Sequence, residues 1–330
     1  MKKILAEALV KKLEEIHTKD ELKTINGGFK TEKRKPTFRI NTLKANKEKT
    51  IENLKENGLK ISKIDFLDNA YRLDEWTEKD LWNTWAFKAW YIYMQGISSM
   101  IPPLLFNLGD DSSETKMLDV TAAPWSKTSQ LSMLMWNKGQ IIACDNNQIR
   151  VDKLEFTLKR QGCTNVWVVK KNAVNLAKEL EHQFGAPSEE YFDKILFDAP
   201  CSAEWRMNLN VEKTYAFWNE AIPKRNYKVQ KDIISNAITM LKAWWELVYS
   251  TCTLSPEENE GLVHFVLSMF PEMELVDITG NPIFGSLETK KGLKFFWKNP
   301  YRKEIVNTMR ILPTSEYEGF YVAKFIKKAL

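Results

Sequence analysis

A chain of 330 residues with 44% hydrophobic content is long enough for one sizeable α/β domain and a smaller attachment. No apolar run approaches the roughly 18 residues that span a bilayer, and Lys2 and Lys3 precede any signal-peptide core, so a cytoplasmic protein is expected. Four cysteines, at 144, 163, 201 and 252, form no CxxC pair, which sets aside zinc knuckles and dense disulfide frameworks and leaves free thiols and no metal as the expectation.

Residues 1 to 24 carry apolar positions at helical spacing (Ile4, Leu5, Ala8, Leu9, Leu13, Ile16), and Asn26-Gly27-Gly28 is expected to end that helix. Residues 36–43 read as a strand, Glu48–Asn57 as a helix closed by Gly58, and the stretch to Asp80 as mixed strand and loop. Together they suggest a small α+β module over residues 1–90. Its charge is distinctive: residues 1–65 hold 17 Lys and Arg against 10 Asp and Glu, a local +7 in a chain of net +5. The cluster Lys30, Lys33, Arg34, Lys35, Arg39 and Lys44 suits a surface that neutralises phosphates, although a solvated Lys/Glu face has the same composition.

From Lys116 onward, short apolar runs alternate with longer amphipathic segments, as parallel strands joined by crossover helices do. Strands are expected at Lys116–Val120, Gln140–Asp145, Asn165–Lys170, Lys194–Asp198 and Glu246–Ser250, with Thr308–Leu312 and Gly319–Phe325 finishing the sheet. Helices are expected at Thr128–Trp136, Asn147–Gln161, Val174–Phe184 and Val229–Leu241. Ser255-Pro256-Glu257-Glu258 supplies a cap, a first-turn proline and a glutamate for a further helix through Met269. The catalytic part would then be residues 91–330.

Doubly wound sheets bind ligands beyond the carboxyl ends of their strands, where this chain carries Asp119 and the loop after it, Asp145, Asp198-Ala199-Pro200-Cys201, and Tyr249-Ser250-Thr251-Cys252. An acid ending the second strand can accept hydrogen bonds from ribose hydroxyls, which assigns Asp145 to a nucleotide-type cofactor, although such an Asp also serves as a helix cap. Cys201 and Cys252 leave different strands whose ends converge on one cleft. Cys144 and Cys163 read as small buried hydrophobes.

These residues resemble the Sun family of RNA 5-methylcytosine methyltransferases. The resemblance rests on Phe38-Arg39-Ile40-Asn41-Thr42-Leu43-Lys44, on Tyr93-Met94-Gln95-Gly96-Ile97-Ser98-Ser99, on the Asp119 loop, on the two cysteine motifs running to Glu260, and on the terminal Glu318-Gly319-Phe320-Tyr321. It implies a Rossmann-like sheet, mostly parallel with an antiparallel C-terminal strand, behind a small N-terminal α+β domain that grips RNA. It implies S-adenosylmethionine as methyl donor, held by Ala122, Ala123, Pro124, Trp125, Ser126, Lys127, Asp145, Arg150, Asn172 and Asp198. It also implies Cys252 as nucleophile, Cys201 as the group that assists release, Asp198 at the N3/N4 edge of the base, and RNA contacts from Lys33, Arg34, Lys35, Arg39, Asn41 and Lys44. The chemistry is coherent, because C5 of cytosine is too poor a nucleophile until a thiolate adds at C6. The target base must leave its stack, in ribosomal or transfer RNA, and a monomer is expected to suffice.

The chain departs from that family at Trp125, Trp205, Trp244-Trp245 and Trp90, where the resemblance places glycine. Glycine is 13 of 330 residues, about 4% against an average near 7%, while tryptophan reaches 12. The pattern suggests a gene that reads UGA as glycine. Asn172 stands where the family has aspartate. With true tryptophans in the cofactor loop, a catalytically impaired RNA-binding or assembly protein is the second reading. A cysteine hydrolase would need a histidine base, and His17, His182 and His264 lie on expected helices.

Overall fold

The computed structural model describes residues 5–75, 77–108, 112–122, 126–184, 189–296 and 299–329. Ala123, Pro124 and Trp125 of the expected cofactor loop therefore lie outside the described residues.

Four short strands form an antiparallel sheet: β1 (Thr37–Ile40), β2 (Ile61–Lys63), β3 (Ala70–Leu73) and β4 (Ile92–Met94), in the order β2-β3-β1-β4. Phe38, Ile40, Leu73 and Ile92 pack there with Leu54 of the Lys47–Glu56 helix. The N-terminal segment is two helices, Glu7–Ile16 and Lys19–Lys30, because Thr18 and Glu21 form a capping box that starts the second. Gly27 and Gly28 thus continue a helix that they were expected to end. A Cβ on Gly28 would stand 2.4 Å from the Pro313 carbonyl oxygen, so close approach is the reason for that glycine. Both helices pack through Leu9, Leu13, Ile25 and Phe29 against Met207, Trp218, Leu254 and Leu312, not against the four-stranded sheet.

The large sheet contains β5 (Lys116–Asp119), β6 (Gln140–Asp145), β7 (Val166–Lys170), β8 (Phe192–Asp198), β9 (Leu241–Thr251), β10 (Met273–Leu275) and β11 (Thr289–Lys291). A two-strand hairpin, β12 (Phe295–Phe296) and β13 (Asn299–Pro300), stands apart, and β14 (Met309–Ile311) and β15 (Phe320–Lys327) complete the large sheet. Its order is β11-β14-β15-β9-β8-β5-β6-β7, with β10 on β15. The run from β9 to β7 is parallel, and β15 joins β9 antiparallel, as expected. Alternate residues enter cores on opposite faces: Leu118, Ile142, Ile195 and Leu247 on one, Met117, Ile141, Leu196 and Val248 on the other. Burial on both faces is why these strands read as continuous apolar runs.

Several boundaries differ from expectation, and the helix expected at Val229–Leu241 runs from Ala221 to Met240. Leu241 pairs with Phe192 and Glu246 with Lys194, so Lys242–Trp245 bulge from an 11-residue β9. The last crossover helix begins at Glu260, after a turn over residues 256–259. Ser255 does not cap it, because its hydroxyl donates to the buried Glu204 at 2.9 Å.

Candidate active site

A cavity of about 570 Å³ opens beyond the carboxyl ends of β5, β6, β8 and β9, lined by Asp119, Lys127, Asp145, Asp198, Cys201 and Cys252 among others. Strand pairing explains the convergence. Asp198 lies opposite Ser250 across parallel β8 and β9, and the Ala199 N–H donates to the Ser250 carbonyl at 2.8 Å. The two chains leave the sheet side by side, which brings the Cys201 and Cys252 sulfurs within 3.1 Å as free thiols. Its hydrogen bond to Cys252 and burial together push the Cys201 thiol well above the ordinary value.

Asp198 is held on both carboxylate oxygens. Ser250 donates to one at 2.7 Å, and the Lys127 ammonium reaches the other at 2.7 Å while also donating to Ser99 Oγ at 3.0 Å. Lys127 is 8% exposed and its ammonium stands 5.1 Å over the Phe320 ring. It is the cation of the expected cofactor loop, and it lines the cavity.

Strand ends β5 and β6 supply the other two acids. Asp119 accepts the Thr128 hydroxyl on Oδ2 at 2.7 Å, while Oδ1 is buried with no partner among the described residues. Burial, aided by the charge on Asp198, raises its carboxyl to about 7. Asp145 accepts the Asn147 N–H at 2.8 Å and pairs with Arg150 at 3.1 Å. The following helix is capped by Asn147, not by Asp145. A buried, unpartnered carboxylate oxygen beside a second strand-end acid fits a ligand that brings a cation and hydroxyl groups, as S-adenosylmethionine does. Ala122 and Ser126 also line this side. Asn172 lines it too, but its Oδ1 accepts the Val174 N–H and caps the short helix at Ala173–Asn175. In the sequence Asp119 reads as one more strand-end acid; its orphaned oxygen is what singles it out.

The expected RNA-contacting residues divide. Lys33, Lys35 and Lys44 are exposed and Arg34 is half-buried, donating to the carbonyls of Thr314 and Gly28. Arg39 and Asn41, by contrast, are 2% and 1% exposed. Arg39 donates to Gln95, Ser129 and Gln161, and Asn41 to the carbonyls of Trp90 and Gln161. Both fasten β1 to the large sheet's helices and cannot meet a phosphate. Among the described residues no histidine lines the cavity, which removes the base that a cysteine hydrolase requires.

Trp205 lines the cavity, and its N–H donates to the Cys252 carbonyl at 3.3 Å. Trp218 is buried and its indole N–H donates to Glu204 at 2.8 Å.

A family model described as 16S rRNA methyltransferase RsmB/F matches residues 106–326. The chain is 31% identical over 299 residues to ribosomal RNA small subunit methyltransferase F of Shewanella piezotolerans, covering 89% of this chain and 58% of that protein. It is 33% identical over 299 residues to the protein of the same name from Vibrio parahaemolyticus, covering 88% and 56%. The chain thus spans under three-fifths of the length of these relatives. A crystal structure of a methyltransferase homolog protein from Pyrococcus horikoshii superposes with a TM-score of 0.80 at 26% identity, covering 98% of this chain and 95% of that one.

Proposed function

The chain belongs to the RsmB/F family of 16S rRNA methyltransferases, and from that footing we propose that it methylates C5 of a cytosine in RNA through a covalent adduct between Cys252 and C6. The observation that carries this reading is the meeting of two free thiols at 3.1 Å over a cavity that Asp198 also lines. Small-subunit ribosomal RNA is the preferred substrate class, since the relatives are named for it. The N-terminal part, residues 1–90 with β4 closing its sheet, would grip the RNA, and the large sheet would carry the chemistry. Lys33 and Lys35 are exposed to the RNA phosphates, while Lys44 donates to the Ala89 and Arg160 carbonyls.

When bound, S-adenosylmethionine supplies a methyl group on a positively charged sulfur. Asp119 and Asp145 would hold that donor. Cys201, kept protonated by donating to its neighbour and by burial, leaves Cys252 as the sulfur that attacks. The Cys252 Sγ–C6 bond forms as the C5=C6 π electrons move toward the ring carbonyl and N3, while the Asp198 carboxylate would accept a hydrogen bond from the N4 amine and the Lys127 ammonium beside it offsets the negative charge. C5 then takes the methyl group. Bonding of Cys252 to carbon removes the first reason for Cys201's high pKa, so Cys201 can pass its proton to solvent and accept the one on C5. The electrons of that C–H bond rebuild C5=C6 and expel the Cys252 thiolate.

The experiment is mechanism-based trapping on RNA containing 5-azacytidine, with the methyl donor present. A covalent complex that disappears in Cys252→Ala is expected. No complex with any ribosomal or transfer RNA would leave RNA binding without catalysis, the reading that Trp205 in the cavity favours.

A further inference from the structure

The loops that follow the two cysteines are joined by a buried cluster whose members the reaction does not use. Ser202, Glu204, Thr253, Ser255 and Glu258 are each at most 3% exposed. The Ser202 hydroxyl lies 2.8 Å from Glu204 Oε1, 2.8 Å from Thr253 Oγ1, and within hydrogen-bond reach of Glu258 Oε1. The Thr253 hydroxyl also meets Glu204 Oε2. These are four oxygen–oxygen contacts, and Ser202 and Thr253 bring only two protons to them. The remaining two cannot be hydrogen bonds unless the glutamates bring a proton, and one proton held by the pair satisfies one of them.

Among the described residues nothing cationic faces the pair. Glu258 accepts from the Ser202 N–H and from Gln230 Nε2, and Glu204 from Trp218 Nε1, Ser255 Oγ and the Leu254 N–H. Lys12 is paired with Glu257 at 2.7 Å and Arg310 with Glu260 at 2.5 Å. The remaining titratable neighbours, Cys201 and Tyr249, add no positive charge, and the Tyr249 hydroxyl donates to the Glu258 carbonyl. Two buried carboxylates without a cation cannot both ionise at modest cost.

We propose that Glu204 and Glu258 are a proton-sharing carboxyl pair that clamps the Cys201 and Cys252 loops together, making both glutamates positioning residues for the dithiol. The assignment rests on the cytosine reading for its purpose and on the cluster's geometry for its existence. Burial, and then the charge of Glu204, raise Glu258 to about 8, so the clamp loses its proton, and the two charges repel, above about pH 8.

Two measurements test this on the full chain. Capture of phenylarsine oxide by the dithiol reads sulfur spacing without RNA or methyl donor, and azacytidine trapping across pH reads the clamp in use. Glu258→Gln reproduces the neutral carboxyl and should keep dithiol capture within about threefold of the parent, while Glu258→Ala should lose about tenfold or more. Parent trapping should fall on the alkaline side of about pH 8 and the Gln variant should lack that fall. Equal losses for Gln and Ala, or an unchanged alkaline fall in Gln, would overturn the proposal. If Glu258→Ala does not fold, Glu204→Gln takes its place: retained capture with a weakened alkaline fall supports the pair, and failure to capture sinks it. Normal capture without any trapping would refute the methylation reading and leave the clamp standing.

A second inference rests on the backbone alone. Among the described residues six non-glycine positions have positive φ: Trp90 (63°), Trp136 (53°), Asn137 (59°), Glu190 (49°), Ala203 (56°) and Trp244 (71°). Three of the six are tryptophan, a residue that fills 12 of 330 positions, and bulky side chains are disfavoured in that region. Trp136 and Trp244 are 56% and 66% exposed, so no buried packing of the indole offsets the strain. We infer that positions 90, 136 and 244 hold glycine in the protein its source makes, decoded from UGA. Position 136 is one that the family resemblance did not mark; Trp205 and Trp245 lack positive φ. UGA codons at all three positions, UGG at Trp218, and glycine-containing peptides by mass spectrometry of the native protein are expected. UGG at 90, 136 or 244, or tryptophan in those peptides, would end it.

Discussion

Lys127 Nζ lies 2.7 Å from the Asp198 carboxylate and 3.0 Å from the Ser99 hydroxyl, with only 8% of the lysine exposed. A cation so placed neutralises Asp198 and lends positive potential to the cavity that holds both sulfurs. Lys127→Met keeps much of the side-chain volume and removes the charge. The trapping rate on azacytidine RNA should fall by about tenfold or more, because a thiolate and a developing anion both lose a cation that lines their cavity. Unchanged rates would deny the lysine any part in the chemistry.

Arg39 and the exposed lysines should separate cleanly. Arg39 is buried, donates to Gln95 at 2.9 Å, Ser129 at 2.6 Å and Gln161 at 3.1 Å, and stands 5.0 Å over the Tyr93 ring. Arg39→Ala strands those acceptors, so urea denaturation should show a loss of about 3 kcal/mol or more. Lys33→Ala with Lys35→Ala should leave stability nearly unchanged and lower the slope of log affinity against log salt by about 0.7 for each phosphate that is no longer neutralised. A reversed pattern would mean that Arg39 reaches RNA after all.

Much of this was legible in the sequence, for a physical reason. β5, β6 and β8 are buried on both faces and written largely as apolar runs, so β6 and β8 end at the expected Asp145 and Asp198, and the chemistry follows those ends. What stayed hidden depends on tertiary partners. Arg39 reads as a basic surface residue until Ser129 and Gln161 close over it, and Ser255 reads as a helix cap until Glu204 takes its hydroxyl. Gly28 reads as a helix breaker until Pro313 arrives against it. Charge, cap and glycine signals are local, and each was overridden by a neighbour distant in sequence.

Cys201 and Cys252 should be told apart by what accumulates. Without Cys201 the adduct still forms, but the C5 proton has no base at hand and the Cys252–C6 bond persists. Cys201→Ala incubated with ordinary RNA and methyl donor should therefore retain RNA through denaturing electrophoresis, about tenfold or more above the parent. Cys252→Ala, and the double variant, should retain none. Retention by Cys252→Ala would exchange the two roles.

Asp119 links methyl-donor binding to pH. Its carboxyl is raised from 3.8 to about 7, chiefly by burial, so the folded protein holds a proton that the unfolded chain releases. The sign follows: this contribution to stability is full below about pH 3.8 and is lost as pH rises toward about 7, amounting to a few kcal/mol. Asp119→Asn should flatten that part of the stability profile. A cationic ligand beside the unpartnered Oδ1 favours the charged carboxylate, so donor binding below about pH 7 must release the proton and affinity must rise with pH until the site is ionised. Calorimetry of S-adenosylmethionine in buffers of different ionisation enthalpy measures that proton directly. Release in the parent but not in Asp119→Asn is expected, and equal release in both would assign the proton to another group.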